Sequence, residues 1–338
     1  LDSMNAKKNT LVHFSGDLRE QKNILKTLLD IDEKIKIWFI VPIFQEIKGD
    51  GIFSNSDDIL SIAREQKISL GNIAIQYEME VLGLSENEVQ KEMDKRLQIM
   101  LDSVDRGFDE HHILMPLTKP SAKKIFQSEK EGQSIIGGIH TRAAARAMAT
   151  MHTDNSLGVV CAAPTGGSAG VLSGVIYTLI EEKKIIRKKA IEILFSASAI
   201  GVIIDKRATF SAELAGCQVE IGASSAMAAA AMIEYVGGSV ENALDAAAIA
   251  LQNNMGSVCD TVQGGCEIPC HTRNALGVSN AFLCADLILG GYHNQIPLDE
   301  TVDAMYEVGK AMPIELRCTS RGGISTAPSA IALKNTRD

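Results

Sequence analysis

Three groupings of reactive side chains stand out in the second half of the 338-residue chain. The first is Cys217, Cys259 and Cys270, with 41 and 10 residues between them. Cys217 lies in Gly216-Cys217-Gln218 between two helical segments. Cys259 follows the Gly256 break that ends one helix, and Cys270 follows Pro269 and opens another. Packing cysteines favour helix interiors, whereas a helix N-terminus favours the thiolate, the form that binds metal. The spacing fits no generic metal rule, so two readings stand: ligands of a metal or cluster, or small buried hydrophobes.

The second grouping is Ala162-Ala163-Pro164-Thr165-Gly166-Gly167-Ser168-Ala169-Gly170, ahead of an apolar helix starting near Val171. Successive backbone N–H groups in such a turn can cradle a carboxylate or phosphate at a helix start. It equally suits a plain bend, and it lacks the Lys and Ser/Thr ending of a P-loop. The third is Arg317-Cys318-Thr319-Ser320-Arg321-Gly322-Gly323, with a partner in His271-Thr272-Arg273-Asn274. Arginine beside glycine-rich backbone suits bidentate carboxylate capture, and surface ion pairing is the competing role. His111, His112 and His293 lie in polar surroundings, while His140 and His152 fit either a core or a site.

Elements must position these groups, and composition says which kind. Apolar residues make up 46 % of the chain and aromatics only 4 %. Abundant Ala, Gly, Ile, Leu and Met favour close-packed helices over a β-sandwich. Residues 1–55 read as a short mixed extension, with a strand-like alternation in Ile35–Phe44 and a turn at Gly49-Asp50-Gly51. Residues 56–338 read as a helical domain. Ser85-Glu86-Asn87-Glu88 forms a capping box, and Val89, Met93, Leu97, Met100 and Val104 follow at helical spacing. From about 131 onward, segments such as Ser225–Val236, Val240–Met255 and Ala275–Ile288 are apolar on most faces, as buried helices are.

A net charge of −9 gives no electrostatic reason to seek nucleic acid or an anionic membrane surface. No uninterrupted apolar run reaches the roughly eighteen residues of a membrane span, and the first twenty residues lack a signal-peptide run. Seven cysteines without such a leader fit a reducing, cytoplasmic setting.

Several separated stretches then resemble the α subunit of iron–sulfur-dependent L-serine dehydratases. They are Gly216–Gly222, Met227–Ala230, Ala248–Asn253, Val258-Cys259-Asp260, Pro269-Cys270, Arg273-Asn274-Ala275, Asp303–Gly309 and the Ala163-Pro164-Thr165 turn. The resemblance covers roughly residues 69–330. It implies a mainly helical catalytic domain built around a [4Fe–4S] cluster on Cys217, Cys259 and Cys270. It also implies conversion of L-serine to pyruvate and ammonia, with the iron that lacks a thiolate acting as Lewis acid on the substrate hydroxyl. Thr165, Gly166, Gly167, Ser168, Arg273, Asn274 and Arg317 are the residues expected to bind substrate. Ser168 and His271 are the candidates for moving the α-proton.

The sequence departs from that family in places. Gly166 and Ala169 replace an Ala and a Cys of the loop, and Thr261 and Cys266 stand where Pro and Val are usual. Cys266, four residues before Cys270, is a competing ligand. The family's Ser-Ser-Ser-His-Thr motif, carried by a preceding domain or a separate β subunit, is not among the 338 residues, nor is a tail cysteine. A β subunit or a homo-oligomer is therefore the expected partner. The rival readings are a cluster-dependent lyase of another β-hydroxy or β-thiol acid, a cluster-bearing subunit inactive without its β chain, and a pyridoxal-phosphate dehydratase. The last lacks a lysine in a convincing Schiff-base setting.

Overall fold

The computed structural model describes residues 21–31 and 47–333. The chain divides into two compact units, residues 1–46 with 337, and residues 47–336 with 338. In the first unit the described element is a helix, α1 (Gln21–Ile31). The strand expected over Ile35–Phe44 lies outside the described residues.

The second unit begins with four helices: α2 (Ser56–Gln66), α3 (Leu70–Leu82), α4 (Glu86–Phe108) and α5 (Ala122–Lys130). Their starts are written in the sequence. Asn55 accepts from the Asp58 amide, Ser69 from the Asn72 amide, and Ser85 with Glu88 closes the capping box of α4. Each such cap satisfies amides that the helix cannot, a contribution of about 1 kcal/mol. Val89, Leu97, Met100 and Val104 of the α4 stripe are buried, and Met93 half-buried, as the spacing predicts.

The remainder carries the core: α6 (Gly138–Asn155), α7 (Ala169–Lys183), α8 (Arg187–Arg207), a short α9 (Ala212–Ala215), α10 (Ile221–Val236), α11 (Val240–Asn254), α12 (Cys270–Leu289), α13 (Leu298–Ala311) and α14 (Pro328–Ala332). Helix α10 is central, packed by α7, α8, α11 and α12. Every residue from Ile221 to Glu234 is buried. With its preceding turn, Cys217–Val236 is long and apolar enough to cross a membrane, yet 83 % of that window is buried inside the protein, which makes it a core helix.

Small side chains let these helices meet closely. On α7, a Cβ on Gly170 would stand 2.5 Å from the Ala147 carbonyl oxygen, and one on Gly174 would stand 2.8 Å from that of Ala143. Helix α6 therefore touches α7 backbone to backbone. Among the described residues there is no strand, and β-type pairing is confined to one parallel bridge between Cys259 and Arg317. The helical fold expected from composition is the observed one.

Candidate functional site

The Pro164–Gly170 stretch folds as a tight turn entering α7. The Thr165 amide donates to Ser168 Oγ at 3.3 Å, and the two hydroxyls stand 3.0 Å apart. Ser168 is fully buried, so its hydroxyl closes the turn rather than facing solvent. Two helices pin the turn from beneath. From α10, Ser224 Oγ donates to the carbonyls of Ala163 (2.6 Å) and Ser168 (3.2 Å). From α12, Asn274 Nδ2 donates to the carbonyls of Gly167 (2.8 Å) and Cys270 (2.9 Å). Asn274 thus ties the glycine turn to the start of the helix that Cys270 opens.

Gly166 and Gly167 are half-buried, as are Glu220, Cys266 and Asp154 around them, and this part-exposed face is the candidate crevice. A Cβ on Gly167 would sit in ordinary contact with Glu220 Oε1 (3.5 Å) and Cys266 Sγ (3.7 Å), and one on Gly166 would lie 3.7 Å from Asp154 Oδ1. The floor is therefore backbone and the walls are two carboxylates and a thiol. Glu220 accepts a hydrogen bond from Thr165 Oγ1 at 2.7 Å. Burial raises its carboxyl above the usual range, against the pull of the Thr165 hydroxyl. Burial alone pushes Asp154 up to about 6.

The three expected thiols are all buried and arrive from three separate places. Cys217 begins a 3-10 turn before α10, Cys270 begins α12, and Cys259 lies between α11 and α12 in extended backbone. The Cys259 amide donates to the Leu316 carbonyl (2.8 Å), and the Cys318 amide returns a bond to the Cys259 carbonyl (2.7 Å). The thiols act on one another: the fields of Cys217 and Cys259 both raise Cys270, and that of Cys217 raises Cys259. Two further thiols lie close enough to act on them, Cys266 on Cys270 and Cys318 on Cys259. The sequence singled out Cys266; Cys318 is the one it missed as a member of this cluster.

Helix-end charge does not by itself make these groups thiolates. Burial pushes Cys217 up to about 12, with Glu220 adding to the rise and Arg273 opposing it. Burial drives Cys259 higher still, and Cys270 is raised first by its bond to Cys266 and then by burial. Desolvation of an anion outweighs a partial helix charge here, so a cationic occupant is needed to hold the thiolate form.

Among the described residues, no three His, Cys, Asp or Glu side chains close on one point as ligands of a single ion would. Thiolates that each hold a different iron of one cluster stand further apart than donors sharing an ion. Cys217, Cys259 and Cys270 are soft sulfur donors, buried and free of disulfides, a chemistry that iron–sulfur clusters use.

The arginines have prior commitments. Arg273 Nη1 pairs with Asp260 Oδ1 at 2.9 Å, donates to the Val258 carbonyl at 2.8 Å, and its guanidinium also reaches Cys217. Arg317 Nη1 donates to the Leu214 carbonyl at 3.1 Å, and its buried Nε has no partner. The structure thus places Thr165, Gly166 and Gly167 on the part-exposed side of the turn, buries Ser168 and Asn274 within and beneath it, and sets Arg273 at the thiols. Glu220 and Asp154 are crevice residues that sequence reasoning passed over.

His271, next to Cys270, is buried, with Nε2 3.1 Å from Asn155 Nδ2, which also donates to the Cys266 carbonyl at 2.8 Å. Burial drives its imidazole down to about 3, and His152, whose ring centre lies 5.2 Å away, down to about 4. Both are neutral at ordinary pH. His140 packs on Phe282 with ring centres 4.8 Å apart, while His111 and His293 are exposed.

Residues 65–325 match the family model described as serine dehydratase alpha chain. The chain is 38 % identical over 283 residues to a probable L-serine dehydratase alpha chain of Bacillus subtilis (strain 168), which covers 84 % of this chain and 94 % of that relative. It is 35 % identical over 275 residues to an L-serine dehydratase alpha chain of Peptoniphilus asaccharolyticus, 81 % of this chain and 94 % of the relative. An L-serine dehydratase of Streptomyces coelicolor (strain ATCC BAA-471 / A3(2) / M145) is 31 % identical over 286 residues, 81 % of this chain and 60 % of the relative.

Proposed function

Because the chain belongs to the serine dehydratase alpha chain family, we propose that it is an L-serine ammonia-lyase, releasing pyruvate and ammonia from L-serine. What supports this reading is that Cys217, Cys259 and Cys270, from three element ends, are buried, free of disulfides and within reach of one another's charge. These three thiolates would hold a [4Fe–4S] cluster. When bound, it supplies a Lewis-acidic iron that eases departure of the serine hydroxyl as water.

The chain's own residues do the rest. The Gly166 and Gly167 backbone and the Thr165 hydroxyl, at the start of α7, receive the polar end of serine. Asn274 fixes the turn's height over Cys270 through its paired bonds to the Gly167 and Cys270 carbonyls. Arg273 supplies positive charge behind Cys217, which favours the thiolate. His271 and Ser168 are the groups proposed for moving the α-proton. Both are engaged in the folded protein, Ser168 within the turn and His271 Nε2 by the Asn155 amide, so either must exchange a partner to act. The aminoacrylate left after elimination tautomerises and hydrolyses in water without help from the protein.

The test is anaerobic purification, reconstitution with ferrous iron and sulfide, and measurement of pyruvate from L-serine. We expect iron and sulfide to load together and turnover to follow the load. Two relatives are named alpha chains, and we propose that a second chain completes this one. Adding a β chain should then raise turnover without changing the iron count. A fully loaded chain that releases no pyruvate even with its β chain would defeat the reading; release from a β-thiol acid instead would move the substrate assignment.

A further inference from the structure

We propose that Glu220 is the residue that binds the ammonium group of the substrate, and so selects α-amino acids over acids that lack it. The inference rests on the lyase reading above and concerns the same crevice.

The argument is an account of the enclosed carboxylates. Asp260 has Arg273 at 2.9 Å. Glu182 has Arg142 at 2.5 Å and Arg146 at 2.6 Å. Glu234 has Lys189 at 3.7 Å and the Gly71 amide at 3.3 Å. Glu267 accepts from the Leu117 amide (3.0 Å) and from the Thr118 amide and hydroxyl (2.7 Å each). Glu220 has one hydroxyl, Thr165 Oγ1, on Oε1, and among the described residues no cation on Oε2. The charges that act on it are repulsive: Glu213 raises it. A half-buried carboxylate without a counter-charge is partly desolvated, and that burial raises its carboxyl.

Placement supplies the reason. Both Glu220 oxygens face Gly167 at contact distance, 3.5 and 3.9 Å from where a Cβ would stand, on a half-buried face. A free amino acid carries its ammonium on the atom next to its carboxylate. With the carboxylate or hydroxyl directed to the turn and the thiols, the ammonium faces the Glu220 side of a crevice this narrow. Thr165 orients the carboxylate by holding Oε1, which leaves Oε2 for the incoming N–H. Asp154, the other crevice carboxylate, has no such orienting hydroxyl among the described residues and lies on the Gly166 side.

The experiment compares the reconstituted parent with Glu220→Gln, Glu220→Asp and Asp154→Asn, each assayed for iron, sulfide and serine turnover. Parent turnover establishes the lyase reading before any variant is judged. Glu220→Gln should keep its iron and sulfide and raise KM for serine roughly ten- to a hundredfold, the loss of a charge-assisted bond, with a smaller change in kcat. Inhibition by 3-hydroxypropionate, which is serine without its ammonium, should change less than about twofold. Glu220→Asp should recover part of the affinity. An unchanged KM, a loss confined to kcat, or equal weakening of serine and 3-hydroxypropionate would overturn the assignment. So would a KM that responds to Asp154→Asn alone, or loss of iron from both Glu220 variants, which would make Glu220 a support of the thiol cluster.

Discussion

Gly167 separates a turn from a binding floor. Its added Cβ would meet neighbours only at 3.5 Å and beyond, so Gly167→Val should fold and load iron like the parent while its branches fill the crevice. We expect kcat/KM for serine to fall about a hundredfold or more. Normal turnover would reduce the turn to scaffolding. For the thiols, Cys217→Ala, Cys259→Ala and Cys270→Ala should each lose most bound iron and sulfide, whereas Cys266→Ala and Cys318→Ala should retain them; iron analysis decides. His152 offers a pH test. It is fully buried, and burial, against an opposing pull from the Gly107 backbone, brings its folded pKa to about 4. The unfolded imidazole takes a proton near 6.5, so this residue's contribution is complete above that pH and is lost as pH falls towards 4. Between pH 7 and 5 the parent should lose about 2 kcal/mol more than His152→Leu, measured by urea unfolding. Sequence spacing alone left Cys217, Cys259 and Cys270 open between ligand and core, and their shared electrostatic neighbourhood is a fact of tertiary structure. Glu220 was invisible for a different reason. A single Glu before an apolar helix looks the same whether or not a cation answers it.

Helices were legible wherever a local signal wrote them. Ser85 and Glu88 announced α4, and the Val89–Val104 stripe named its buried face. The apolar segments of α10, α11 and α12 were legible as buried helices, but not which neighbours they would bury against. That depends on small residues whose role appears only in a pair of helices. Gly174 is one: nothing around it in sequence distinguishes it from a helix defect, yet the Ala143 carbonyl and Ala147 amide occupy the place of its Cβ. Gly174→Val should force α6 and α7 apart and cost about 1–3 kcal/mol, as overpacking does. Thermal unfolding should read this as a fall of about 2–4 °C for each kcal/mol. An unchanged midpoint would mean that the two helices separate freely.

Across the whole molecule, Cys217 and Cys270 stand at helix starts, whereas Cys259, Cys266 and Cys318 stand on two non-helical segments, residues 256–269 and the stretch around Leu316–Cys318. An occupant that joins them binds the folded state and not the unfolded one, so it must stabilise. Removing iron should therefore speed amide exchange in residues 257–271 and 314–326 while leaving the interior of α10 protected; uniform exchange across the domain would show the site to be rigid without it. The Cys259–Arg317 bridge has a consequence in time. Leu316 is made 46 residues after Cys270, and at about 5–20 residues per second that is an interval of roughly 2–9 s on the ribosome. During that interval Cys217, Cys259 and Cys270, the proposed ligands, have been synthesised, but the Leu316 and Cys318 backbone that pairs with Cys259 has not. A nascent chain thus passes through a stage in which Cys259 lacks the backbone partners at Leu316 and Cys318 that hold it in the finished fold.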